Sequence, residues 1–424
     1  MRCGCGWSGS EHGLNPMSSG NLIVKPEGAA CRGVAATPPD GGLEVSGRVA
    51  PHRVSHEVVI WSNPDDAAPI WRDLETSGIS TPYQSFVWFS AWLHAVAPLR
   101  HETPLVIALM DGQGRPTLLL PLVVCSKFGV RVASFPGGSH ANFNMPLLAR
   151  QAAFAPDAVD HIFTSLSRQR PDIDLVVLDA LPPSWDGVPN PLVTARSRPH
   201  TAAASVVTLA PDPDRPFGMA LAAARRRKLR WADRKVLGHG FVARVMRSAS
   251  EVERTLDAYL AHKARWFEER GIADPFREPG IREFLVELGS RPGTPALIYG
   301  LERGGEITAV GIAVVGRHRA SLMAISYDPD SPVVAYSPGA RIIREMAGDL
   351  CRQGIEVFDF GLGEAVYKAA FGAAPEPSFV EIRPLTRRGR LAAALIKLKR
   401  RAKIAAKQHP RTLAAAHAIR RWLP

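Results

Sequence analysis

The chain has 424 residues, of which 46% are hydrophobic and 22% are charged, so it is long enough for more than one hydrophobic core and has the balance of a globular protein. No stretch approaches the roughly 18 to 20 apolar residues of a membrane span, and the start of the chain lacks the order of a signal peptide. Five scattered cysteines predict no disulfide framework, so we expect a cytoplasmic protein.

The positive charge is concentrated at one end. The formal net charge is +12, yet thirteen Lys and Arg residues and no Asp or Glu lie between Ile382 and the C-terminus. The remainder of the chain is therefore nearly neutral. Residues 386–424 alternate basic residues with leucines and alanines, which predicts a long helical tail with a basic face and allows peripheral contact with a membrane surface.

The chain before the tail divides into three predicted segments. Residues 1–55 are rich in Gly, Pro, Ser and Ala without periodicity, and we predict a disordered leader. Residues 56–210 are predicted to form a first α/β domain, in which Ser85 caps a helix rich in aromatic residues. Its other predicted elements are strands at 58–61, 105–110, 117–124, 130–135 and 174–178, a hairpin turn at 111–114, and helices near 70–74 and 157–168.

One loop of the first domain carries polar groups that suit a binding site. Residues 136–144 contain His140, Asn142 and Asn144 among glycines. The loop could line a substrate pocket, but we interpret it as a solvated loop.

The second predicted domain covers residues 211–385 and repeats the same order of elements. A basic helix over 217–237 opens it and carries Arg225, Arg226, Arg227, Lys228, Arg230, Arg234 and Lys235. A strand at 241–246, helices at 251–270 and 281–288, and a hairpin around Gly304-Gly305 follow. The last part reads as a strand over 320–327, an amphipathic helix ended by Gly354 and a strand over 357–360, which predicts a right-handed crossover.

The start of that amphipathic helix is the most informative turn. Ser337 is predicted to cap the helix, Pro338 fits its first position, and Gly339 presents no side chain to a ligand. A crossover of this kind leaves a crevice at the carboxyl ends of its strands, where the helix N-terminus attracts anions. A phosphate-bearing donor would fit this crevice.

Several of these motifs resemble those of the CelD-like acyltransferase family. They are Ser337-Pro338-Gly339, the strand end Phe358-Asp359-Phe360-Gly361-Leu362-Gly363, and Tyr367-Lys368 followed by Phe371-Gly372. The basic run at 226–230 and the group His262, Arg265 and Trp266 add to the resemblance. That family belongs to the GNAT superfamily and is similar to FemAB-type aminoacyltransferases. The resemblance implies an α/β fold of two tandem GNAT-like domains with a basic C-terminal helix.

The resemblance also implies an acyltransferase whose active residues lie in the second domain. Lys368 would stabilise the oxyanion or a donor phosphate, Asp359 or Glu364 would orient or deprotonate an attacking amine, and Tyr336 or Tyr367 would donate to the leaving thiolate. Tyr336, Ser337, Gly339 and Ala340 would bind an acyl-CoA donor, while His262, Arg265 and Trp266 would bind the acceptor. The alternatives are a solvated Lys368, a structural hydrogen bond at Asp359, and simple packing for the tyrosines and His262.

The donor and the acceptor stay open at this point. The usual pyrophosphate loop of the superfamily is reduced here to Ser337-Pro338-Gly339-Ala340, so acyl carrier protein or tRNA could replace CoA as the carrier. The resemblance implies a small-molecule or glycan-precursor acceptor in envelope polysaccharide biosynthesis. The other hypotheses are a tRNA-dependent aminoacyltransferase and a non-catalytic scaffold whose basic tail binds an anionic partner.

Overall fold

The computed structural model describes residues 57–127, 129–151, 154, 157–363 and 365–408, and the predicted leader lies outside these residues. Two large mixed sheets flanked by helices organise this part of the chain. The first half contributes β1 (Glu57–Trp61), α1 (Pro64–Ser77), α2 (Phe86–Ala95), β2 (Thr103–Met110), β3 (Pro116–Lys127), β4 (Val130–Ser134), β5 (Leu147–Leu148), α3 (Ala158–Gln169) and β6 (Leu175–Leu181).

The first half forms as its local sequence predicts. Ser85 accepts a hydrogen bond from the Trp88 N–H and so caps α2, which confirms the predicted cap. Asp111 accepts from the backbone of Gln113 and Arg115, and this turn joins β2 and β3 into the predicted antiparallel hairpin. Trp71, Trp88 and Trp92 are fully buried in the core beneath this sheet.

The connecting segment and the second half supply the remaining elements. Short strands β7 (Ser184–Trp185), β8 (Val188–Pro189), β9 (Arg198–Pro199) and β10 (Ala204–Thr208) link the halves. The second half contains α4 (Ala223–Gly238), β11 (Val242–Val245), α5 (Ala249–Glu268), α6 (Ile281–Ser290), β12 (Ala296–Arg303), β13 (Glu306–Val315), β14 (Arg319–Tyr327), α7 (Pro338–Arg352), β15 (Val357–Leu362), α8 (Val366–Ala369), β16 (Ala374–Glu376), β17 (Phe379–Pro384) and α9 (Arg387–Gln408).

Both sheets share one topology, and each is extended by a strand from elsewhere in the chain. The first sheet has the order β1-β2-β3-β4-β6-β17-β9, and the second has the order β11-β12-β13-β14-β15-β10-β16. The strand β10 precedes the second half but pairs with β15, whereas β17 belongs to the second half but pairs with β6 of the first half. The predicted boundary near residue 210 therefore leaves β10, a strand of the second sheet, on the side of the first predicted domain. The division into two domains stays a prediction.

The C-terminal helix is anchored on the first sheet. Thr386 accepts from the Gly389 N–H and donates to Asp174, and the Leu385 N–H donates to the Asp174 carbonyl. Gly389 lies so close to the Asp174 carbonyl oxygen that an added Cβ would clash with it. One face of α9, including Ala393, is buried against β4 and β6. The predicted basic helix is present, and the tail after residue 408 lies outside the described residues.

Candidate active site at the diverging strands

The central feature of the second sheet is a pair of parallel strands that separate. Strands β14 and β15 pair only through Arg319, Ala320 and Ser321, opposite residues 357–359. Beyond this point β14 continues to Tyr327 and β15 to Leu362 without pairing to each other. A bulge interrupts the pairing of β14 with β13 between Ala324 and Leu322, just past the point of divergence. Bulges of this kind redirect a strand next to active sites.

The N-terminus of α7 lies on one face of this opening. Pro338 occupies the first position of the helix, as predicted. Ser337 has a left-handed backbone with φ of 56° and makes no side-chain capping hydrogen bond, so its predicted capping role is wrong. A capping residue normally has an extended backbone that directs its oxygen at the first N–H groups, and the left-handed conformation at Ser337 does not. These N–H groups consequently receive no side-chain acceptor from Ser337.

The other predicted donor-binding residues are near this helix start. An added Cβ on Gly339 would lie 3.5 Å from Ile325 Cδ1 and 3.7 Å from Tyr327 Cδ1, so Gly339 packs directly over β14. The Ala340 N–H donates to the Ser337 carbonyl over 2.9 Å. The Tyr336 ring contacts the exposed Trp231 of α4 edge to face, with 5.5 Å between ring centroids.

On the opposite face, α5 places His262 against β14. Its Nδ1 lies 3.3 Å from Ser326 Oγ, and the imidazole is partly buried. Burial lowers the pKa of His262 below its ordinary value of 6.5, and the nearby Asp328 carboxylate opposes this shift. A neutral imidazole at pH 7 can accept a proton.

The other two residues of the predicted acceptor group have different partners. Arg265 forms ion pairs with Asp330, in the loop after β14, and with Glu269. These carboxylates raise the pKa of Arg265 and hold α5 against that loop. Trp266 stacks on the Arg270 guanidinium, 4.1 Å from the ring centroid. His262 is thus the member of this group that hydrogen-bonds to a residue of β14.

Lys368 has a structural environment that its sequence context did not indicate. It is 4% exposed, and its Nζ donates to the carbonyls of Gly361, Leu362 and Gly363 over 2.9, 3.1 and 2.8 Å. Desolvation lowers the pKa of Lys368 to about 8, and Asp359 partly opposes that shift. The alternative of a solvated lysine is wrong, because the ammonium is buried and donates to the three carbonyls at the end of β15. A catalytic role stays a prediction.

Asp359 is a fully buried partner of Arg319 rather than an exposed base. Its carboxylate accepts from Arg319 and, over 2.6 Å, from the Gly361 N–H. Arg319 also pairs with Glu376 of β16 and lies over the Trp185 ring, 4.8 Å from its centroid. Burial raises the pKa of Asp359, against the effect of Arg319. This ion pair is the structural interaction that the sequence left as an alternative.

The two remaining predicted residues contribute less. Tyr367 is 36% exposed, and its ring contacts Phe360 with 6.2 Å between centroids. Glu364 lies outside the described residues. The predicted site residues therefore fall into two groups. One group, with His262, lies near the carboxyl end of β14, and the other, with Lys368, lies near the carboxyl end of β15.

The first half reaches into the divergence through the loop at 136–144. Asn142 Nδ2 donates to Ser321 Oγ over 2.7 Å and to the Leu322 carbonyl over 3.1 Å. Tyr83, also from the first half, donates to Ser321 Oγ over 3.1 Å. Because His140 and Asn144 are 4% and 5% exposed, the interpretation of a solvated loop is wrong. The amide of Asn142 occupies the place where the two strands part.

The sequence reasoning did not identify Tyr83, Ser321, Ser326 or Arg319 as part of this region. The polar loop was the available signal for a contact between the halves. Ser321 and Ser326 are single polar residues inside an apolar strand, Arg319 stands at the start of that strand, and Tyr83 lies in a short turn of the first half, so only the folded chain brings the four together.

Comparisons with known proteins agree with this geometry. The sequence model of the family described as acetyltransferase (GNAT) domain matches residues 223–369. A comparison with curated protein sequences gives no match. Among solved structures, FemX is 9% identical with a TM-score of 0.52, over 77% of this chain and 97% of that one.

Two further solved structures are similar over most of their length. The C-terminal domain of a lysylphosphatidylglycerol synthetase from Agrobacterium fabrum is 14% identical with a TM-score of 0.48, over 78% of this chain and 95% of that one. A tandem GNAT protein from the clavulanic acid biosynthesis pathway is 12% identical with a TM-score of 0.43, over 78% and 99%. The predicted α/β fold class is confirmed, and residues 223–369, which hold the diverging strands, match an acetyltransferase domain of the GNAT type, so the predicted acyltransferase class is confirmed as well.

Proposed function

We propose that the chain transfers an acyl group from an acyl-CoA thioester to an amine or hydroxyl acceptor. The observation that carries this proposal is the divergence of β14 and β15 after three paired residues, with the N-terminus of α7 at the open end. The main-chain N–H groups of β14 that lie beyond its pairing with β15 would donate to the thioester carbonyl. The helix N-terminus attracts the anionic part of the donor.

His262 is our candidate for the general base. It lies on the face of β14 opposite α7, so a donor between the strands would present its carbonyl between the base and the helix. The lowered pKa of His262 keeps the imidazole neutral at pH 7, which allows it to take the proton of an attacking ammonium or hydroxyl. Lys368 contributes by fixing the three carbonyls at the end of β15.

A carrier-bound donor is the second candidate, and helix α4 favours it. Five basic side chains on α4 are exposed around Trp231, which contacts Tyr336 beside the crevice: Arg227, Lys228, Arg230, Arg234 and Lys235. Arg341 and Arg344 of α7 pair instead with Asp233 and Glu345, so their charges are compensated. An acidic carrier, an acyl carrier protein or the tRNA of the FemAB-type alternative, would therefore meet its complementary charge on α4. We retain a CelD-like role on a glycan precursor as the proposed pathway, on the resemblance alone.

The first test is donor binding. Acetyl-CoA at a hundredfold its dissociation constant should stabilise the chain by about 2.7 kcal/mol, which thermal unfolding would detect. Gly339→Val should abolish the stabilisation, whereas Gly238→Val, at a position where no atom lies within 4 Å of an added Cβ, should retain it. No stabilisation by acetyl-CoA or CoA, with stabilisation by acylated carrier protein or aminoacyl-tRNA, would transfer the proposal to the second candidate. No response to any donor would refute both and favour the scaffold hypothesis.

The second test concerns His262. With a panel of amino-sugar acceptors and release of the CoA thiol as the readout, His262→Gln should lower kcat by about a hundredfold or more and leave donor binding unchanged. The matched control is His94→Gln, whose ring is largely exposed on α2. Because burial lowers the pKa of His262, the wild-type rate should rise with pH and reach its plateau at a lower pH than an exposed imidazole would give. Equal rates for the two variants would remove His262 as the base.

A further inference from the structure

Helix α9 carries an exposed apolar stripe that the acyl-transfer site does not use. Leu391, Leu395 and Leu398 are 71%, 68% and 64% exposed. Their spacing of four and three residues places them within about 60° of one another around the helix. Large apolar side chains aligned in this way on a solvent face indicate an interaction surface.

The stripe faces outward because the other side of the helix is fixed. Gly389 abuts the Asp174 carbonyl, Ala393 is buried, Ile396 packs against the same small core, and Arg400 lies 3.7 Å from Asp179. These four positions follow one another at helical spacing on the side opposite the three leucines. A rotation that buried the leucines would break all of these contacts.

The charges beside the stripe select its partner. The 22 residues of α9 include nine Lys and Arg and no Asp or Glu. Helical geometry places Arg388 and Lys399 on one flank of the stripe and Arg387 and Arg401 on the other, and all four side chains are exposed. A second copy of this helix would bring equal positive charges together. A nucleic acid would pair with the basic residues but leave the leucines in water.

We propose that α9 binds the surface of an anionic phospholipid bilayer, with the three leucines entering the acyl boundary and the flanking basic residues at the headgroups. This combination of an apolar stripe between cationic flanks is the general pattern of helices that lie in a membrane interface. Among the described residues, no helix is long and apolar enough to span a bilayer. The inference is independent of the proposed acyl transfer.

The test is sedimentation of the full chain with vesicles. Vesicles of phosphatidylcholine with about a third phosphatidylglycerol should bind the chain, pure phosphatidylcholine should bind it at least about tenfold more weakly, and salt should weaken the binding to anionic vesicles. Leu391→Gln/Leu395→Gln/Leu398→Gln should lose about a thousandfold in affinity, because each leucine contributes about tenfold or more.

Matched variants keep the test specific. Leu99→Gln removes a leucine that is 58% exposed in the first half and should bind as the wild type does, whereas Leu395→Gln alone should bind about tenfold more weakly. Thermal unfolding of each variant confirms that it is folded. Wild-type affinity of the triple variant, or absence of binding by the wild type, would overturn the proposal. A change from dimer to monomer in the triple variant, without vesicle binding by the wild type, would assign the stripe to a second copy instead.

Discussion

Replacing Lys368 by Met should destabilise the chain whether or not the lysine takes part in catalysis. Three main-chain carbonyls accept from its ammonium, and hydrogen bonds to a charged group contribute about 1.5–3 kcal/mol each. Burial of the charge opposes this: the fall of its pKa from 10.5 to about 8 corresponds to roughly 3 kcal/mol. The variant also leaves three carbonyls without a donor, so we expect a net loss on the order of 3–5 kcal/mol.

The assay is urea unfolding at pH 7, with Lys397→Met as the control, because Lys397 is exposed on α9 and its loss should change stability by less than about 0.5 kcal/mol. A second signature is the pH dependence. The folded pKa of Lys368, about 8, lies below the unfolded value of about 10.4, so the unfolded state binds more protons between these limits. Lys368 therefore adds stability as the pH rises through this window, and Lys368→Met should lack that increment.

Two outcomes would refute this reasoning. If Lys368→Met unfolds at the same urea concentration as the control, the three carbonyls do not depend on the ammonium. If it is equally stable and yet loses acyl transfer, the catalytic role predicted from the sequence is the correct one.

Three further substitutions test other contacts. Asp359→Asn should cost about 3 kcal/mol in urea unfolding, because the buried Arg319 guanidinium loses the more deeply buried of its two carboxylate partners, and a loss below about 1 kcal/mol would contradict the buried pair. Gly361→Ala should destabilise by about 1–3 kcal/mol, since φ is +77° there and the new Cβ would lie 2.7 Å from the Asn142 amide; relief by Asn142→Gly in the double variant is the check. Gly389→Ala should displace α9 from Asp174 and speed tryptic cleavage within the helix, and unchanged cleavage would argue against that anchor.

Local patterns predicted those parts of the fold that local chemistry determines. The hairpin at Asp111, the cap at Ser85 and the crossover from β14 through α7 to β15 are encoded by turn residues and periodicity within short windows. The pairing of β10 with β15 and of β17 with β6 joins residues far apart in the chain. No short window contains both partners of such a pair.

The candidate site follows the same rule. The sequence indicated the region of Ser337 to Gly339 and of His262, because a helix start and a helix face are local features. It did not show that Ser337 is left-handed, since non-glycine residues rarely adopt that conformation, nor that Lys368 is buried. The burial of Lys368 depends on three carbonyls exposed by the turn after β15. Only the folded turn places these carbonyls around one ammonium.

Each sheet contains a strand from the other half of the chain, β10 in the second sheet and β17 in the first, so the chain cannot be cut between the halves without removing a strand from each sheet. A cut near residue 210 would yield an N-terminal fragment in which β6 lacks β17 and a C-terminal fragment in which β15 lacks β10, so each fragment would have an open sheet edge. Unpaired edges of this kind recruit other strands, so each fragment expressed alone is prone to aggregate. Coexpressed fragments could restore both edges only by assembling with each other. In the intact chain, the same exchange ties the unfolding of one sheet to that of the other, so we expect the two halves to unfold in a single cooperative transition.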